Sequence, residues 1–136
     1  MPLAVHPRRV LLLTAMLVSA IALFAASTAE AHTLSVKKAK KVATAYAKKN
    51  AQAYADQGLP VTSYGTGGCE RKSRHAVGCI YIVEFQDGAA ACGGEMRIQF
   101  KSRKSRKLKG RLLNEEQCID AEGNPLEKRA LKRAVK

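Results

Sequence analysis

Four cysteines, two histidines and one dense run of cations carry most of the chemistry open to this chain beyond residue 31. Cys69, Cys79, Cys92 and Cys118 lie 10, 13 and 26 residues apart. A structural zinc site needs close pairs such as C-x-x-C, and none occurs; the nearby imidazoles are limited to His32 and His75, so no metal set is expected. An even cysteine count in a small exported chain points instead to two disulfides. Three pairings exist. Cys69–Cys79 with Cys92–Cys118 is preferred, because the first pair flanks a hairpin turn. Loop entropy assigns the two bridges roughly 3 and 3.5 kcal/mol. That is large beside the about 5–15 kcal/mol that holds a typical domain folded.

The cations concentrate in the run from Lys101 to Arg111, seven in eleven residues. With strand alternation, Arg97, Lys101, Lys107, Lys109 and Arg111 share one sheet face beside a loop that holds Arg103, Lys104 and Arg106. These eight are the candidate anion-binding residues. Such a patch attracts polyanions and strengthens at low salt. The plainer alternative, a solvated hairpin tip on a soluble face, stays open. Sequence-specific nucleic-acid binding is not expected, since export removes the chain from most of it and Phe100, the nearest stacking group, points to the core.

Catalytic constellations are sparse. An N-terminal His32 could chelate copper through its amine and ring, but only His75 is available as a second imidazole. His75 reads as a solvated turn residue beside Arg74. Oxidised cysteines leave no thiolate nucleophile. Glu84 and Glu95 fall on the polar faces of adjacent strands, where proximity would give the paired carboxylates of glycoside hydrolysis; a surface charge pair is the simpler reading. Gly65, Gly67 and Gly68 lack the Lys-Ser/Thr and helix that a phosphate loop requires. The chain is therefore not read as an enzyme, and no cofactor is implied.

Residues 1–31 read as an address. Arg8 and Arg9 precede an apolar run from Val10 to Ser27, and Ala29-Glu30-Ala31 supplies the small residues of a cleavage site. The 18-residue run is just long enough for an uncleaved anchor, the rival reading. No cysteine precedes Cys69, which excludes a lipid-attached cysteine at the cleavage point. Cleavage after Ala31 removes two cations and one acid, leaving 22 cations, 10 acids and a net charge of +12 out of the full chain's +13. The basicity thus belongs to the exported domain, secreted or held at the cell envelope.

The elements that position these residues follow from periodicity. Ser35 caps a helix over 36–57, which ends at Gly58. Val36, Ala39, Ala43, Tyr46, Ala47 and Tyr54 form its apolar stripe, opposite Lys37, Lys38, Lys41, Lys48 and Lys49. The period then switches to two, with Val77, Cys79, Tyr81, Val83 and Phe85 on one strand. Cys92, Gly94, Met96, Ile98 and Phe100 follow on the next, then Leu108, Gly110 and Leu112. A three-residue turn at Ser73-Arg74-His75 sets Cys69 opposite Cys79, Asp87-Gly88 starts the second turn, and a turn within 102–106 pairs Phe100 with Leu108 and Met96 with Leu112. Asn124, Pro125 and Glu127 give a start signal for a basic helix over about 125–135, with Leu126, Ala130, Leu131 and Ala134 apolar. The fold class is α+β: a long N-terminal helix on a three- or four-stranded antiparallel sheet spanning about 66–114, then a short C-terminal helix, all in a single domain over 32–136.

The helix-then-meander order, the Cys69-Glu70-Arg71 segment and four spaced cysteines resemble small exported bacterial proteins of unassigned function. The order is also similar to cystatin-like folds. Cystatin inhibitors carry a Gln-x-Val-x-Gly loop; here Gln99 is followed by Phe100-Lys101-Ser102-Arg103, so the resemblance extends to the fold and not to that mechanism. Compact disulfide-bearing inhibitors of secreted β-lactamases combine the same elements. The expectation for function is a secreted, disulfide-stapled basic binding module for an anionic polymer, lipid headgroups or an acidic protein. A small inhibitor of an exported enzyme is the alternative.

Overall fold

The computed structural model describes residues 32–135; the signal-peptide assignment of residues 1–31 lies outside the described residues. The first element is α1, Val36–Asp56. Its segment is built largely of Ala and Lys, among the stronger helix formers. The Ser35 hydroxyl accepts from the Lys38 N–H at 3.2 Å and caps the first turn. At the other end Gly58 takes φ +78°, its N–H bonds the Ala55 carbonyl, and the Leu59 N–H bonds back to Tyr54. This is a Schellman stop, and Gly58 takes its left-handed position without a Cβ penalty.

Six strands follow: β1 (Val61–Ser73), β2 (Ala76–Phe85), β3 (Ala90–Phe100), β4 (Leu108–Leu112), β5 (Gln117–Asp120) and β6 (Pro125–Leu126). All pair antiparallel, in the order β1-β2-β3-β5-β6, with β4 also on β3. The far edge of β3 is divided: Met96–Phe100 pair with β4, and Ala90–Gly93 pair with β5. Phe100 opposes Leu108 and Met96 opposes Leu112, as alternation required.

The sheet is wider than three or four strands and reaches beyond 66–114 at both ends. The extra strands are short or irregular, and neither type gives a clean period-two signal. β1 slips register between Val61 and Ser63, Thr66 and Gly68, and Arg71 and Ser73. The last slip alters the first hairpin. Ser73 opposes Ala76, leaving a two-residue turn at Arg74-His75, and the displaced Lys72 restores the register that sets Cys69 opposite Cys79. Bulges along an edge strand also bend it away from flat pairing with another chain.

Both disulfides join directly opposed residues, Cys69–Cys79 across β1 and β2 and Cys92–Cys118 across β3 and β5. They lie in the core on the helix-covered face. Ala39, Ala43, Ala47 and Ala51 bury one stripe of α1 against that face. Larger groups fill the spaces that alanine leaves: Tyr46 meets Tyr81 edge-on at 5.0 Å, and Tyr54 meets Phe85 likewise at 5.0 Å.

The C-terminal helix α2 covers Lys128–Ala134, not 125–135. The Asn124 amide N–H and side-chain NH2 both donate to Asp120, which closes the β5–β6 turn with Gly123 at φ +85°. Asn124 is thereby consumed as a turn residue, and Pro125 sits in an edge strand, where a missing N–H costs little. Those hydrogen bonds hold the Asp120 carboxyl below its usual range. Helix α2 docks through Leu131 and Val135, both buried beside Phe85 and the Cys92–Cys118 bridge. Ala134, expected on the apolar stripe, is exposed.

Two glycines on β3 and β4 permit close approach for different reasons. A Cβ at Gly93 would collide with the backbone carbonyl of Tyr81, whereas one at Gly110 would meet the Met96 methyl at 2.6 Å. Backbone cannot retreat but a methionine end can. Gly93→Ala is expected to cost about 1–3 kcal/mol in urea unfolding, and Gly110→Ala less than about 1 kcal/mol. Equal losses would show that the strand spacing at Gly93 is not the constraint.

Candidate anion-binding surface and the Glu116 cluster

The cationic residues follow from the β3–β4 hairpin. Its turn is closed by Lys101 N–H to Lys107 carbonyl at 2.9 Å, Ser105 N–H to Ser102 carbonyl at 3.2 Å, and Lys107 N–H to the Ser105 hydroxyl at 3.1 Å. The small serines supply turn geometry while the cations between them point into solvent. Arg97, Lys101, Arg103, Lys104, Arg106, Lys107, Lys109 and Arg111 are all exposed. Register brings Arg97 directly opposite Arg111, with Lys109 opposite Gln99 one step along the same face. Like charges opposed across a strand pair repel. The two ion pairs found among the described residues, Lys72–Glu70 and Lys128–Glu116, involve none of these eight.

The other candidate residues do not assemble into a catalytic site. Glu95 opposes Ile80, and Glu84 opposes Ala91. The two residues are therefore four positions apart along the ladder, about 13 Å of strand. Their expected proximity is corrected by the register, and Glu84 instead accepts from the Ser63 hydroxyl at 2.5 Å. His75 is exposed in the turn, with Nδ1 3.0 Å from the His32 carbonyl oxygen and its ring 6.5 Å from that of Phe100. It ties the segment before α1 to the first hairpin, as does the Leu34 N–H bonding the Arg74 carbonyl at 3.0 Å.

A second cluster was not anticipated from the sequence. Glu116, in the β4–β5 connection, has a side chain only 11% exposed. Its Oε2 accepts from the Tyr81 hydroxyl at 2.5 Å, and its Oε1 accepts from the Tyr54 hydroxyl. Asn50 Nδ2 lies 3.5 Å from Oε2 and Lys128 Nζ 3.9 Å from Oε1. Four elements thus converge on one carboxylate: α1, β2, the β4–β5 connection and α2. Gly94 makes room for this, because it opposes Tyr81 and any Cβ there would meet the tyrosine ring at 3.1 Å.

A buried tyrosine on an inward strand position needs a partner for its hydroxyl. That requirement was readable at Tyr81. The partner was not, because Glu115-Glu116 has the appearance of an ordinary polar loop. Clefts open on both sides of Glu116, one lined in part by Tyr54, Gln57 and Lys132, the other by Tyr46, Tyr81 and Leu112. The carboxylate between them already accepts from two hydroxyls. Cys92, Cys118 and Glu116 also bring ligand-type atoms within 4.8 Å of one another. Both sulfurs are joined in a disulfide, so they offer no thiolate to a metal.

Burial pushes the Tyr54 and Tyr81 phenols well above the ordinary tyrosine range, and the hydrogen bonds to Glu116 and its negative charge add to the shift. The unfolded chain releases these protons near pH 10 while the folded chain keeps them, so stability falls as pH rises above about 10. The limiting slope is about 1.4 kcal/mol per pH unit for each phenol. In a spectrophotometric titration of the folded protein, two of the four tyrosines should ionise late. Tyr81→Phe should remove one late step and cost about 1.5–3 kcal/mol near neutral pH; four coincident ionisations would contradict the cluster.

No helix among the described residues is long and apolar enough to cross a membrane. Comparison of the chain with family models, curated proteins and solved structures finds no match.

Proposed function

We propose that this chain is an exported, disulfide-stapled module that docks on polyanionic material through the β3–β4 hairpin and its adjoining sheet face. One observation carries the reading: Arg97 and Arg111 are directly opposed, Lys109 is their neighbour, and neither ion pair of the described residues reaches them. Keeping like charges opposed costs stability, and a bound anion relieves that cost. The hairpin extends the same charge past the sheet edge with Lys101, Arg103, Lys104, Arg106 and Lys107. The two disulfides support an oxidising location, consistent with export and cleavage near Ala31. The Glu116 cluster in this reading is structural, tying the helices to the sheet that presents the cations.

Binding of this type is electrostatic and salt-sensitive. Replacing Arg103, Lys104, Arg106, Lys107 and Lys109 with Ser should abolish retention on a heparin or polyphosphate matrix at about physiological salt. The unfolding midpoint should be unchanged, because all five side chains are exposed. Arg111→Ser alone should weaken retention without lowering stability, since it relieves the repulsion with Arg97. Undiminished retention of the five-fold variant would refute the reading.

A further inference from the structure

The face that carries Arg97, Lys109 and Arg111 is also the face that neither helix covers. By the same alternation Ile80, Ile82 and Ile119 point outward there, since Cys79, Tyr81 and Cys118 point into the core. Leu113 follows the inward Leu112 and bonds the Glu95 carbonyl through its N–H at 2.9 Å, which places it beside them. Ile80, Leu113 and Ile119 are 50%, 48% and 42% exposed, three of the four large apolar side chains so exposed among the described residues. Their neighbours explain why. Ile80 lies across from Gly68, and Ile82 lies between Gly65 and Gly93. Glycine has no side chain to shield Ile80 on the β1 side, so its tip is exposed, whereas Ile82 lays its Cδ1 over Gly67 and is half-buried.

A dissolved polyanion uses only the cations of this face, and the isoleucines gain nothing from it. An anionic lipid leaflet uses both: cations meet the phosphates, while apolar tips enter the boundary below them. From this pairing on one open surface we infer that the anionic partner is a lipid bilayer, onto which the open sheet face docks peripherally with Ile80, Leu113 and Ile119 inserted. The inference rests on the anion-docking reading and narrows it. The acids of this face are compatible with such docking. Glu70 is paired with Lys72 at 2.8 Å; Glu95 lies directly opposite Ile80, and the same Lys72 passes over Gly78 towards it, so Glu95 stays at the headgroup level beside that cation. Glu84 lies at the far end, held by Ser63.

The test uses sedimentation with phosphatidylcholine vesicles carrying increasing phosphatidylglycerol, in parallel with heparin chromatography. The parent protein should bind vesicles in proportion to the anionic fraction and release at high salt. The Ile80→Ser/Leu113→Ser/Ile119→Ser variant should elute from heparin unchanged, while its vesicle partition falls by about tenfold or more. Because the chain contains no Trp, Ile80→Trp gives a single reporter whose emission should shift blue on anionic vesicles and be quenched by brominated acyl chains. Equal vesicle binding by parent and triple variant, or Trp emission unmoved by vesicles, overturns lipid docking. Retention on heparin without any vesicle binding also overturns it and leaves the broader reading intact; loss of both sinks the broader reading itself. A stoichiometric complex with an acidic protein in place of vesicle binding would assign the face to a protein partner and refute the bilayer.

Discussion

The hydroxyl of Tyr81 must be satisfied inside the core, and much of the architecture answers that need. Tyr81 sits in the middle of the central strand pair and is fully buried. Its ring requires Gly94 opposite it, and its hydroxyl requires Glu116. Once that carboxylate is buried, it needs further donors, since an unpaired buried charge is expensive. Tyr54 from α1 supplies one, and Asn50 and Lys128 approach more distantly. The same contact therefore sets the rotation of α1 over the sheet, the path of the β4–β5 connection and the seat of α2.

The alanine stripe lets this happen. With Ala39, Ala43, Ala47 and Ala51 facing the sheet, α1 lies close enough for Tyr46 and Tyr54 to reach the strand residues. Alanines bury little apolar area, so the core is modest for a sheet with only one covered face. Two cross-strand disulfides supplement it, each beside one of the two apolar clusters. The uncovered face can then differ in character. It carries opposed arginines and exposed isoleucines, groups that a packed second layer would not tolerate. Helices and disulfides thus hold one face of the sheet, while the proposed docking face is left free of them.

Periodicity made the central part of the fold legible. The inward set from Val77 to Phe85, the Phe100–Leu108 and Met96–Leu112 pairs, the Cys69–Cys79 bridge and the Ser35 cap are local or near-local features, and each has a strong pattern; Cys92–Cys118, 26 residues apart, followed from the first pairing by elimination. In the bulged β1 each register slip breaks the period of two, so alternation shows only part of the strand. Strands β5 and β6, of four and two residues, are too short to show alternation. The Asn124-Pro125-Glu127 signal was a real capping pattern overruled by a competitor, the Asp120 carboxylate four residues earlier, which took both Asn124 donors. Glu84 and Glu95 were placed on the correct face but not at the correct separation, since alternation fixes the face of a residue and only register fixes its partner.

The sequence by itself determined the class of elements, the register that sets Cys69 opposite Cys79 and which residues are cationic, because these depend on spacing within one strand, one helix or one turn. The tertiary structure alone decided that Glu116 lies beneath two tyrosines 35 and 62 residues away, that Glu84 and Glu95 stand apart along the ladder, and that the far edge of β3 is shared between β4 and β5. Those are properties of strand register and layer stacking. They are set by which long-range contacts bury the most surface while pairing the buried polar groups of the core, a condition that couples distant segments and that no single segment can meet by itself.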